Sequence, residues 1–120
     1  MTTMSHVCVR VLDLERSLAF YREALGLTPQ REMTMEDRGW RLVFLGDNET
    51  PFQLELCKQV GRTQPYQLGD DSPHVAVTAK DFAALKARHQ AEGRVVDQLP
   101  GGIYFIQDPD GHLIEILPPK

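Results

Sequence analysis

The chain states nearly the same pattern twice, and that repetition constrains its fold more than any other feature. His6-Val7-Cys8-Val9-Arg10-Val11-Leu12-Asp13-Leu14 returns as His74-Val75-Ala76-Val77-Thr78-Ala79-Lys80-Asp81-Phe82, an offset of 68 for both His (74−6) and Asp (81−13). Phe52-Gln53-Leu54-Glu55-Leu56 returns as His112-Leu113-Ile114-Glu115-Ile116, an offset of 60 (115−55). Each half opens on a His and closes on a Glu. Two copies are too few for a solenoid, so the repeat predicts two paired modules.

The local pattern within each copy is βαβββ. Val7, Val9 and Val11 alternate as a strand does. Asp13 is placed as a helix N-cap, Leu14, Leu18, Tyr21 and Leu25 follow at helical spacing, and Gly26 supplies the stop. Strands are expected over 28–35, 41–45 and 52–57. The cycle restarts with a strand over 74–78 and a helix over 81–92, with Phe82, Leu85 and several alanines turned inward. Short strands at 95–96, 103–107 and 113–117 complete it. Asp108-Pro109-Asp110-Gly111 has the residue order of a type I turn. The fold class expected is α+β. Residues 1–120 form a single domain, built of module 4–58 and module 72–118 joined by a Gly/Pro-containing linker, 59–71.

Strand alternation places His6, Cys8 and Arg10 on one face and the valines on the other. Glu55 shares a face with Gln53 and Cys57, and Glu115 shares one with Leu113 and Leu117. A carboxylate flanked by apolar residues is costly to bury unless a cation, a proton or a donor network meets it. With His6, Glu55, His74 and Glu115 on one inner face, a metal cation answers that need. Two neutral imidazoles and two carboxylates neutralise a divalent ion and suit nickel, cobalt, zinc, manganese or iron. Glu115, between two leucines, is expected in drier surroundings than Glu55.

Other classes recede. The net charge of −4 leaves no basic stripe for nucleic acid or an anionic membrane. No apolar run is long enough to span a bilayer, and the first residues lack a secretory pattern. The two cysteines, Cys8 and Cys57, make no disulfide framework, so reduced thiols lining a cavity in a cytoplasmic protein are expected. His89 is expected to be solvated on the second helix and His112 structural. Trp40 and Tyr104 could line a pocket or simply pack.

The stretches HVCVRVLDLERSLAFYREALGL, FQLEL, YQLGDDSPHVAV and FIQDPDGHLIEIL resemble the vicinal-oxygen-chelate superfamily, and within it the short bacterial type of glyoxalase I (lactoylglutathione lyase). The resemblance covers nearly the whole chain. It implies paired βαβββ modules with mixed sheets curved around one metal, and a ligand set of His6, Glu55, His74 and Glu115. It implies isomerisation of the methylglyoxal–glutathione hemithioacetal to S-lactoylglutathione. There the metal stabilises a cis-enediolate and Glu115 moves the proton, with Glu55 its counterpart on the other side. Arg10 matches the Arg that holds a glutathione carboxylate, and Gln59 stands where the family often has Asn. The metal implied is Ni2+, with Zn2+ or Co2+ as alternatives, and the assembly implied is a homodimer. Asp70-Asp71-Ser72-Pro73 and the lysine-free 98–102 depart from the family's pattern, so glutathione or another thiol is the expected co-substrate. Alternatives within the superfamily are an extradiol dioxygenase, a fosfomycin-type thiol transferase and a non-catalytic drug-binding protein. Glu55 separates the first reading from the enzymatic alternatives, which usually lack it.

Overall fold

The computed structural model describes all residues, 1–120, and divides them into two units, Met1–Gln67 and Leu68–Lys120. The first unit runs β1 (His6–Val11), α1 (Leu14–Leu25), β2 (Thr28–Met35), β3 (Trp40–Gly46) and β4 (Gln53–Gln59). The second runs β5 (Val75–Thr78), α2 (Phe82–Ala91), β6 (Val95–Gln98), β7 (Tyr104–Gln107) and β8 (Leu113–Leu117). Each unit holds one four-stranded sheet, ordered β1-β4-β3-β2 and β5-β8-β7-β6. In both, the first strand runs parallel to the last and the other pairings are antiparallel. The two sheets therefore have one topology, as the repeat requires.

The helices begin where the sequence placed them. Asp13 caps α1 by accepting from the Arg16 backbone N–H at 3.1 Å, and Asp81 caps α2 by accepting from that of Ala84 at 3.2 Å. Gly26 takes the left-handed conformation, φ 70°, and its N–H closes on the Arg22 carbonyl at 2.9 Å. A side chain there would be strained, which explains the stop. At the turn before β8, the buried Asp108 carboxylate accepts from the backbone N–H groups of Asp110 and His112, and Gly111 N–H donates to the Asp108 carbonyl.

One face of each sheet packs under its helix. In the first unit Val11, Val43, Leu45, Leu54 and Leu56 are buried together with Leu14, Phe20, Tyr21 and Ala24 of α1. In the second, Tyr104, Ile106, Ile114 and Ile116 are buried on the matching face. The inward side of α2 differs from expectation. Its alanines at 83, 84, 87 and 91 are exposed, while His89 is fully buried and shares a 2.8 Å hydrogen bond with the Tyr104 hydroxyl. Phe82, Leu85 and His89 lie on one helical stripe, and the Tyr104 partner makes burial of the imidazole tolerable. Tyr104 thus packs, and its burial pushes the hydroxyl up to about 12, with the Arg88 charge pulling the other way.

Candidate metal-binding half-sites

The sheet face turned away from the helix carries the same pair in both units. His6 opens β1 and Glu55 lies in β4, whose register sets His6 beside Gln53 and Cys8 beside Glu55. The His6 side chain reaches one step diagonally, and its Nε2 stands 3.1 Å from Glu55 Oε1. In the second unit Ala76 lies beside Glu115, and His74 just before β5 makes the same diagonal reach, Nε2 to Oε1 3.3 Å. Ladder register, parallel pairing and side-chain direction all repeat, so the chain builds one His–carboxylate half-site twice.

Each imidazole is set by an aromatic ring that sequence reasoning did not single out. His6 packs edge-on to Phe44, centroids 5.3 Å apart at 89°, and His74 packs edge-on to Phe105 at 5.1 Å and 87°. Phe44 is the β3 partner of Glu55 and Phe105 the β7 partner of Glu115. The signal was present: both Phe residues precede their Glu at nearly the same interval, 11 (55−44) and 10 (115−105) residues. Edge-to-face packing fixes a ring's plane and so presents Nε2 to the carboxylate; at His6 the Ser5 hydroxyl also meets Nδ1 at 3.2 Å.

The two carboxylates differ in the opposite sense to that expected. The Glu55 side chain is 11% exposed and that of Glu115 is 19% exposed. Leu113 and Leu117, which flank Glu115, are themselves exposed or half-buried, whereas Cys57 beside Glu55 is buried. Apolar neighbours on a strand dry a carboxylate only where something covers them. Glu55 also has a second partner, the Cys57 sulfur 3.0 Å from its Oε2. For Glu115 the polar contact is His74.

Cys8 and Cys57, expected as reduced thiols, have their sulfurs joined in a disulfide. They occupy the same one-step diagonal of the parallel β1–β4 pair that brings His6 to Glu55, so both side chains leave the sheet on one face. Further along that face, Arg10 stacks over the Trp40 ring, 4.7 Å from its centroid. Trp40 in turn packs on Leu42, Phe44 and Cys57 and pairs across the ladder with Gln59. Arg10 and Gln59 thus lie at the same end of the face that carries His6 and Glu55. His112 is half-buried, and its backbone closes the turn on Asp108.

The architecture defines a class: paired βαβββ modules, each with a His–Glu pair on the sheet face opposite its helix. The chain belongs to the Glyoxalase/Bleomycin resistance protein/Dioxygenase superfamily, whose sequence model matches residues 3–116. It is 33% identical over 124 residues to the lactoylglutathione lyase of Haemophilus influenzae, covering 96% of this chain and 91% of that protein. It is also 33% identical to a probable lactoylglutathione lyase of Vibrio parahaemolyticus, covering 96% and 89%. Among solved structures, it is similar to a trypanothione-dependent glyoxalase I of Leishmania major, with a TM-score of 0.85, 32% identity, and coverage of 98% and 87%. No helix is long and apolar enough to cross a membrane.

Proposed function

We propose that this protein is a glyoxalase I-type lyase that isomerises the hemithioacetal of methylglyoxal and a thiol to the S-2-hydroxyacylthiol. The observation that carries this is the doubled half-site, in a chain one-third identical to lactoylglutathione lyases over nearly its whole length. Residues 1–120 act as one domain, with both modules serving one reaction.

The donor atoms fit a divalent ion. Each half-site brings an imidazole Nε2 and a carboxylate Oε1 together, at 3.1 and 3.3 Å, and these are donors that such an ion would take. His6, Glu55, His74 and Glu115 would together ligate one such ion, with Ni2+ preferred and Zn2+ or Co2+ as alternatives. Two carboxylates cancel its charge and no thiolate is required. When bound, the ion supplies the positive charge that makes the carbon acid beside the carbonyl acidic enough to lose its proton.

The chain's own residues move that proton and hold the thiol. Glu115 takes the proton from the hemithioacetal carbon and returns it to the neighbouring carbon. Its suitability rests on freedom rather than dryness: its side chain is 19% exposed with His74 as its polar contact, whereas that of Glu55 is 11% exposed and lies against the Cys57 sulfur. Arg10 binds a carboxylate of the thiol co-substrate by a charge-assisted bond, keeping its stack on Trp40, and Gln59 hydrogen-bonds the same molecule. Glutathione is the leading co-substrate. The trypanothione dependence of the Leishmania relative and the acidic Asp70-Asp71 stretch keep other thiols in view. The protein works as a homodimer in the cytoplasm.

The test is turnover. Metal-loaded protein is mixed with methylglyoxal and, in turn, glutathione, trypanothione and a thiol without carboxylates, and the 2-hydroxyacylthiol product is identified. Product with a carboxylate-bearing thiol supports the proposal; no product with any thiol and any of the three metals contradicts it.

A further inference from the structure

The Cys8–Cys57 pair is not part of the repeat. The corresponding places in the second unit hold Ala76 and Leu117, which have the same strand positions and no sulfur. The Cα atoms of Cys8 and Cys57 are 6.7 Å apart, within the span a disulfide bridges, and the sulfurs are bonded. The two sides of the pair are unequal. Cys8 on β1 is exposed, while Cys57 on β4 is 5% exposed, beneath Trp40. Cys57 also touches Glu55, with its sulfur 3.0 Å from Oε2.

We propose that Cys8 and Cys57 are a reversible thiol–disulfide pair, oxidised by exchange with a low-molecular-weight disulfide, whose state is transmitted to Glu55. The exposed Cys8 thiolate attacks the small disulfide, forming a mixed disulfide and releasing one small thiol. The buried Cys57 thiolate then attacks the Cys8 sulfur, closing the Cys8–Cys57 bond and releasing the second thiol. The protein loses two protons and two electrons, and the small disulfide takes them up as two thiols. In the dithiol state the Cys57 S–H donates to Glu55 Oε2 and holds the carboxylate with Oε1 at His6. The disulfide has no hydrogen to donate, so Glu55 keeps only its His6 contact and its orientation loosens. The transmission rests on the reading of Glu55 as a metal ligand; the exchange chemistry does not.

The experiment uses the full chain, reduced, freed of reductant and exposed to glutathione disulfide. Thiol titration should fall from both cysteines to none, and the intact mass should drop by two hydrogens without a glutathione adduct. Cys57→Ser should retain one glutathione on Cys8, and Cys8→Ser should take up none in the same time. Persisting free thiols in the parent, a stable glutathione adduct, or equal labelling of Cys8→Ser would overturn the exchange. Ni2+ or Zn2+ affinity, titrated without substrate, should be several-fold weaker in the oxidised form and recover on reduction. Equal affinity in both states would overturn the transmission. If Glu55→Gln also leaves that affinity unchanged, the fault lies in the metal assignment, and the thiol results stand by themselves.

Discussion

Arg10→Ala is the substitution with the most separable consequences. The Arg10 guanidinium sits over Trp40 at 4.7 Å, on the strand that carries His6, and it does not belong to the ligand set. Two interactions are lost. A charge-assisted hydrogen bond to a thiol carboxylate is worth roughly 1.5–3 kcal/mol, which at about 1.36 kcal/mol per tenfold is a rise in KM of about 10- to 150-fold. The cation–π contact with Trp40 is worth about 0.5–1 kcal/mol at an exposed site and should appear as a small loss of unfolding free energy. The carboxylate is remote from the reacting carbons and is held alike in ground and transition states, so kcat should change little. Steady-state kinetics with glutathione, and with a thiol lacking carboxylates, separates the two. The KM penalty should appear with the first and vanish with the second, at equal metal content. Arg10→Lys should be intermediate, since it keeps charge but loses the planar fork. An unchanged KM with glutathione, or the same penalty with both thiols, would refute the role assigned to Arg10.

The two carboxylates should be unequal. Glu115→Gln keeps an oxygen ligand but removes the base, so turnover should fall by several powers of ten while metal still binds at high concentration; Glu55→Gln should cost less turnover. Parent-like rates from metal-loaded Glu115→Gln would contradict its role. Tyr104→Phe should cost about 1–3 kcal/mol by removing the hydroxyl that meets the buried His89 Nδ1 at 2.8 Å, read by urea unfolding. It should also change the alkaline limb. Tyr104 is raised from 10.0 to about 12 in the folded state, so between those values the folded chain binds a proton that the unfolded chain has released. Parent stability therefore declines as pH rises through that window, and Tyr104→Phe should remove that part of the slope; an identical slope in both would show that another group governs it.

What the sequence disclosed follows from short-range chemistry. Capping by Asp13, the stop at Gly26 and the Asp108 turn each depend on neighbours within four residues. Strand alternation likewise put His6 and Glu55 on like faces, and the repeat did the same for His74 and Glu115. What stayed hidden depends on pairing across the fold. The Cys8–Cys57 bond needs the parallel β1–β4 register, which periodicity does not reveal. His89 looked solvated because its partner, Tyr104, is 15 residues away on a strand that α2 covers. Glu115 looked dry because its leucine neighbours are apolar, yet Leu113 is 38% exposed.

The central claim is that two half-sites serve one ion, and metal stoichiometry tests it most directly. Metal-free parent protein, His6→Ala and His74→Ala are titrated with Ni2+ and Zn2+, and bound metal is counted per chain. The account predicts one ion per chain in the parent, and a large loss of affinity from either His substitution, because each removes a ligand from the same ion. Two ions per chain, with each His substitution abolishing one and leaving the other at parent affinity, would contradict it.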